Sequence, residues 1–199
     1  MKDIMEIKIL LCGNSGVGKT SIFKRYYENK FEANYTTSIG IDFQTKEINH
    51  NDKLYSIHLI DTAGEERFRS ITSSYFRMAD YYLLVFDLAN KNSLIALSEW
   101  IELLKEHVEK PKYIILGNKS DLEKNLIPDQ EINEVLNDKD NLKINDENFL
   151  KVSAKTGENI NEAFEYLLDI IEQNNNNKGE QIIITNQKVK NKKKKMKCC

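Results

Sequence analysis

The sequence predicts an α/β fold, a three-layer sandwich whose sheet is mostly parallel with one antiparallel strand. Three observations predict it. Short apolar runs alternate with longer stretches in which apolar residues recur every three or four positions, the pattern of β-α-β units. Only the polar segment Asn49 to Lys53 separates the second and third runs, too little chain for a crossover, so those two pair as a hairpin. A glycine-rich turn, GNSGVGKT at Gly13 to Thr20, joins the first run to the first helical pattern.

The elements follow in order. Ile7–Cys12 is the first strand, and Ser21-Ile22-Phe23 begins a helix. Strands Ile41–Ile48 and Leu54–Ile60 flank the hairpin turn, whose Asn51-Asp52 pair accepts the backbone angles a tight turn requires. The fourth strand is Tyr81–Asp87. Its run from Tyr81 to Phe86 is the longest apolar stretch in the chain, far short of the ~20 residues that span a bilayer. Leu94, Leu97, Ile101, Leu104 and Val108 recur at helical spacing on one face. Tyr113–Gly117 and Phe149–Val152 complete the sheet, and Ile160, Phe164, Leu167 and Ile171 mark a final helix. Asn137 to Asn148, rich in Asn, Asp and Lys, reads as an exposed loop with no role beyond solvation.

A chain of 199 residues accommodates one domain and a tail. Residues 1–173 form the domain; 174–199, opening with four asparagines and ending in lysines, bury too little to fold. The N-terminus carries Asp3 and Glu6 and no small-residue cleavage site, which argues against a secretory signal. Three cysteines, two of them adjacent at Cys198 and Cys199, make a poor disulfide framework and fit a reducing compartment; Cys12 reads as a small core residue. The net charge of −2 conceals an asymmetry: seven of the 29 basic residues follow Gln187, while all 31 acidic residues lie at or before Glu180. The acidic body argues against nucleic acid as a partner, and the basic end calls for an anionic surface.

Four short motifs carry the chemistry. GNSGVGKT lies between a strand and a helix, as a phosphate-binding loop must. There the backbone from Ser15, Gly16, Val17 and Gly18 to Thr20 and Ser21 faces a phosphate, Lys19 reaches the β and γ phosphates, and Thr20 ligates Mg²⁺. DTAG, Asp61 to Gly64, ends an apolar strand, where the aspartate can hold a metal-bound water and the glycine N–H can turn to a γ-phosphate. NKSD, with Asn118, Lys119 and Asp121, follows another strand; its aspartate can accept from both N1–H and the exocyclic amine of guanine, a donor pair that adenine lacks. SAK, Ser153, Ala154 and Lys155, can support a base through a backbone N–H. All four lie at carboxyl ends of strands, where open α/β sheets bind ligands. His50, His58 and His107 share no motif-like spacing.

From Ile7 to Ile171, with these motifs in order, the chain resembles a Ras-superfamily GTPase. IGIDF (Ile39 to Phe43), ERFRSITSSYFR (Glu66 to Arg77) and the terminal Cys-Cys resemble the Rab family within it. That resemblance implies a P-loop sandwich with a six-stranded sheet, five flanking helices, and two switch regions that order around the γ-phosphate of GTP and relax in the GDP form. It implies that Phe31 packs edgewise on the guanine and that Ser38 supplies the second Mg²⁺ hydroxyl. An effector patch would comprise Ile39, Gly40, Phe43, Ile60, Arg67, Phe68 and Tyr75, with Arg69 also in the second switch. The implied partners are an exchange factor, a GTPase-activating protein, an escort protein or dissociation inhibitor, and effectors on an intracellular membrane.

The chain departs from the family at instructive positions. Glu65 stands where glutamine usually orients the attacking water; a carboxylate only accepts hydrogen bonds and adds negative charge beside the γ-phosphate, so intrinsic hydrolysis is expected to be slow. An activating protein that brings its own arginine and glutamine leaves stimulated hydrolysis open, whereas a constitutively GTP-loaded binding module is the alternative. Ser38 keeps the hydroxyl of the usual threonine but loses a restraining methyl. Ile60 replaces a tryptophan and Met78 a glycine, which predicts a smaller patch and an unusual effector choice.

Cys198 and Cys199 resemble the double-geranylgeranyl site of Rab proteins. At ~0.8 kcal/mol per buried CH₂, two long prenyl groups anchor durably where one short chain is marginal. Each lysine near an anionic leaflet adds ~1 kcal/mol; a nuclear-import signal and a solubilising tail are rival readings of the same lysines. Ile182 to Ile184, a lone apolar cluster, either docks on the escort protein or is a chance feature of the linker.

Overall fold

The computed structural model describes residues 4–33, 41–62, 74–137 and 148–174. Ser38, Ile39, Gly40, Gly64, Glu65, Arg67, Phe68, Arg69, Ile182 to Ile184, the lysine run, Cys198 and Cys199 lie outside them, as does most of the loop at 137–148.

Six strands form one sheet: β1 (Ile4–Cys12), β2 (Ile41–His50), β3 (Lys53–Thr62), β4 (Tyr81–Asp87), β5 (Tyr113–Asn118) and β6 (Phe149–Lys151), in the order β2-β3-β1-β4-β5-β6. Only β2 against β3 is antiparallel. The hairpin closes where expected: Asn51 and Asp52 have φ of 46° and 63°, the pair of left-handed residues that a two-residue turn uses to match strand twist. β4 is buried along its whole length, as a central strand covered on both faces must be.

The helices are α1 (Lys19–Glu28), α2 (Lys91–Ile95), α3 (Leu97–His107), α4 (Asp129–Asn137) and α5 (160–174). Tyr82, Leu84 and Phe86 of β4 share one core with Leu94, Leu97, Ile101 and Leu104 from α2 and α3, and with Ile132 and Leu136 from α4. The single helix expected from Leu94 to Val108 is broken at Ala96. Asn90 caps the first piece, its side chain accepting from the Asn92 and Ser93 N–H groups, and Ser98 donates back to the Ile95 carbonyl, a bond that bends helices. Val108 itself is extended (φ −135°) and ends α3. On the opposite face α1 lies against β3, where the Tyr27 hydroxyl donates to the Ile57 carbonyl at 3.0 Å. α4 had no assigned pattern in the sequence, because a helix this short shows barely two turns of periodicity. In α5, Phe164, Leu167 and Ile171 are buried. Among the described residues no helix is long and apolar enough to cross a membrane.

Candidate nucleotide site

The strand order reverses at β1, whose neighbours β3 and β4 are reached by connections on either side. The turn after β1 therefore opens at the crevice where such sheets bind ligands. Its shape is set by glycines: Gly13 has φ 140°, and a Cβ there would collide with the Val85 carbonyl; Gly18 has φ 99°, and a Cβ would collide with the Asn118 side chain. Gly16 (φ 78°) faces open space. Val17, 1% exposed, pins the loop to the core between them. Helix α1 begins at Lys19 with no side-chain cap and no acidic residue in its first turn, which leaves Thr20 and Ser21 at a helix N-terminus suited to an anion.

Lys19 is buried, and its ammonium donates to the Gly13 and Asn14 carbonyls at 2.8 and 2.9 Å. Burial pulls its pKa down from 10.5 to about 8, against the opposing pull of Asp61. It is still mostly charged at neutral pH, and a phosphate would complete its solvation. Cys12, directly beneath, is buried with its thiol pushed up to about 12, so it is an inert core residue as its position in β1 predicted.

The Thr20 hydroxyl donates to Asp61 at the end of β3 at 2.5 Å. A hydroxyl and a carboxylate side by side are hard oxygen donors, the set Mg²⁺ takes when its other ligands are water and substrate phosphate; these residues fit that ion.

The base end is assembled by Asn118, 2% exposed at the tip of β5. Its amide donates to the Val17 carbonyl at 2.8 Å and its side-chain oxygen accepts from the Ala154 N–H at 3.1 Å, so one side chain joins the phosphate loop, NKSD and SAK. The Ala154 N–H, a candidate for holding a base, donates here to Asn118 and so links the two loops. Lys119, in the left-handed region (φ 70°), donates to the Gly16 carbonyl at 3.1 Å and pairs with Asp87 at 2.6 Å. Asp121 accepts from the Ser153 hydroxyl at 2.6 Å and faces the Lys155 ammonium at 3.3 Å. Burial opposes its charge, but that hydroxyl and Lys155 outweigh burial and hold the carboxyl below its ordinary range, ionised and acceptor-only.

Three supporting residues escaped the sequence reading. Asp87 follows the apolar run of β4 directly, and a charge at that carboxyl end was a usable signal. Arg25 holds the SAK turn from α1, donating to the Ala154 and Lys155 carbonyls at 2.8 and 2.7 Å. Trp100 of α3 donates to the Asn14 side chain at 2.9 Å. Contacts across more than 80 residues leave no local pattern.

Of the remaining predicted residues, Phe31 is exposed just beyond α1. Phe43 is 53% exposed, with its ring 5.8 Å from that of Tyr75. Ile60, the cross-strand partner of Phe43 on the same face of the sheet, is 2% exposed. It belongs to the core cluster that Tyr75 packs against.

A parallel sheet with a glycine-shaped loop at its reversal point, a buried lysine in that loop and a Thr-Asp pair beside it defines a P-loop nucleotide-binding protein. The family model of the Ras family matches residues 8–173. Ras-related protein Rab-27B of Homo sapiens is 40% identical over 182 residues, covering 83% of this chain and 79% of its own. Ras-related protein Rab-27A of Homo sapiens is 38% identical over 177 residues (83% and 78%), and Ras-related protein SEC4 of Saccharomyces cerevisiae 36% identical over 168 residues (84% and 75%). The chain belongs to the Ras superfamily of small GTPases, and within it to the Rab family.

Proposed function

We propose that this chain is a membrane-anchored GTP/GDP switch that recruits effectors in its GTP form to regulate vesicle trafficking. The observation that carries the reading is the Asn118 side chain, which binds the phosphate loop to both base-side turns and so makes one continuous cradle of them. On this reading residues 1–173 are the nucleotide-binding domain and 174–199 the tail.

Each residue then has a task. The backbone from Ser15 to Ser21 and the Lys19 ammonium hold the β and γ phosphates and stabilise the charge that develops on them. Asp121 reads the two guanine donors, Lys119 flanks the base, Ser153 and Lys155 set the carboxylate of Asp121, and Phe31 covers the ring. Thr20, Ser38 and, through water, Asp61 would hold Mg²⁺, which supplies neutralising charge at the phosphate oxygens. The Gly64 N–H senses the γ-phosphate. Ile39, Gly40, Phe43, Arg67, Phe68 and Tyr75, underpinned by Ile60, meet effectors. Regulation falls to an exchange factor, an activating protein and an escort protein or dissociation inhibitor.

Glu65 sets the pace of the switch. A carboxylate cannot both donate to the γ-phosphate and accept from water, so intrinsic hydrolysis is slow. In single-turnover assays Glu65→Gln is expected to hydrolyse GTP about a hundredfold faster, the low end of what one positioned catalytic group contributes. Equal rates in the two proteins would reject this role. A second reading, a module that stays GTP-loaded, rests on the same residue; GDP in the protein as purified from cells argues for the switch, GTP for the module.

The tail supplies the anchor. Replacing both Cys198 and Cys199 by serine is expected to move the protein from the membrane to the soluble fraction of its own cells, while nucleotide affinity stays unchanged. Undiminished membrane association in that variant would assign the attachment elsewhere.

A further inference from the structure

We propose that Trp100 is a positioning residue for the phosphate loop, through which helix α3 sets how long a nucleotide is retained. The inference rests on the guanine-nucleotide reading above and adds a regulatory contact to the same site.

Trp100 is 5% exposed, on the same inward face of α3 as Leu97, Ile101 and Leu104. Packing alone would account for an apolar side chain there. An indole, however, carries an N–H that can only donate and must find an acceptor when buried. It finds Asn14 Oδ1 at 2.9 Å. The same residue's main-chain carbonyl accepts from Lys19 at 2.9 Å, so Asn14 is held by α3 at its side chain and by the phosphate-binding lysine at its backbone.

The location gives this contact its leverage. Gly13 is wedged against Val85, and Val17 is sunk in the core, which fixes both ends of the loop. Between them a side chain on Gly16 would meet nothing, the Gly16 carbonyl is held by Lys119, and the Asn14 side chain is held from α3. Its side-chain anchor lies in α3, a helix outside the four motif turns, so a displacement of α3 reaches the phosphate-facing backbone directly. Trp100 is also the one tryptophan of the sequence, which makes its emission a built-in reporter of this contact.

The test is a double-mutant cycle on the full chain, reading release of a fluorescent GDP analogue in excess Mg²⁺ and GDP. Trp100→Phe and Asn14→Ala are each expected to accelerate release about fivefold, as loss of one neutral hydrogen bond allows. The double variant should release no faster than either single one, because both remove the same bond. Native tryptophan emission should differ between the GDP-bound and nucleotide-free protein, and that difference should shrink in Asn14→Ala, a loop variant that leaves the core intact. Native-like release from Asn14→Ala, or single effects that multiply in the double variant, would overturn the proposal even if Trp100→Phe lowers thermal stability. Failure of the native chain to bind the analogue at all would instead overturn the nucleotide reading, and this inference with it.

Discussion

Asn118→Ala is expected to lower the affinity for GDP by about two to three orders of magnitude while leaving the sheet intact. The side chain sits at 2% exposure and satisfies the Val17 carbonyl and the Ala154 N–H together. Truncation leaves both groups without that partner in a site water reaches poorly, at a cost of about 1–3 kcal/mol each. At 1.4 kcal/mol per factor of ten, the middle of that range gives the stated loss. Part of the cost falls on the fold, so denaturant unfolding of the nucleotide-free variant should show a lowered midpoint with an unchanged slope. Titration with a fluorescent GDP analogue measures the affinity. A change smaller than about fivefold, against the 1–3 kcal/mol expected per group, would mean that the loops hold together by other means.

Lys19→Met separates binding from folding. The ammonium gives two charge-assisted hydrogen bonds to carbonyls of the phosphate loop. Bonds to charged groups contribute about 1.5–3 kcal/mol each, so GTP affinity should fall at least about a hundredfold. Stability of the nucleotide-free protein should change far less than affinity, because relief of the buried charge offsets the loss of the donor to the Gly13 and Asn14 carbonyls. The pH dependence carries the same signature. The folded-state pKa of about 8 lies below the ordinary 10.5, so in that interval the unfolded chain holds more protons and stability rises with pH. This group contributes roughly 3 kcal/mol over the window, and the gain is complete above 10.5. Unfolding free energies compared from pH 7 to 10.5 without nucleotide should rise in the native protein relative to Lys19→Met. Parallel curves would show that Lys19 is not desolvated.

Much of this architecture was legible in the sequence, and the reason is local. Asn51-Asp52 specifies a two-residue hairpin by backbone angle alone, the short aromatic and aliphatic run from Tyr81 to Phe86 has the length of a buried strand, and the glycines at 13, 16 and 18 announce a turn with positive φ. The phosphate loop, NKSD and SAK were each readable as turns after strands. How they lock together was not. Asn118, Arg25 and Trp100 act across roughly a hundred residues, and nothing in a one-dimensional pattern pairs Arg25 with the Ala154 carbonyl. The break at Ala96 escaped for another reason: Leu94 and Leu97 keep a helical interval across the joint, so periodicity reads straight through it.

The central claim is that four turns at one end of the sheet form a single pocket for a guanine nucleotide and its metal ion. Competition of GDP, GTP and ATP against a fluorescent GDP analogue, on the purified native chain in Mg²⁺, tests it most directly. Because Asp121 is held ionised and acceptor-only, both guanine nucleotides should displace the analogue at low concentration, and ATP should need about a thousandfold more or greater. Equal competition by ATP, or no binding of the analogue at any concentration, would contradict the account.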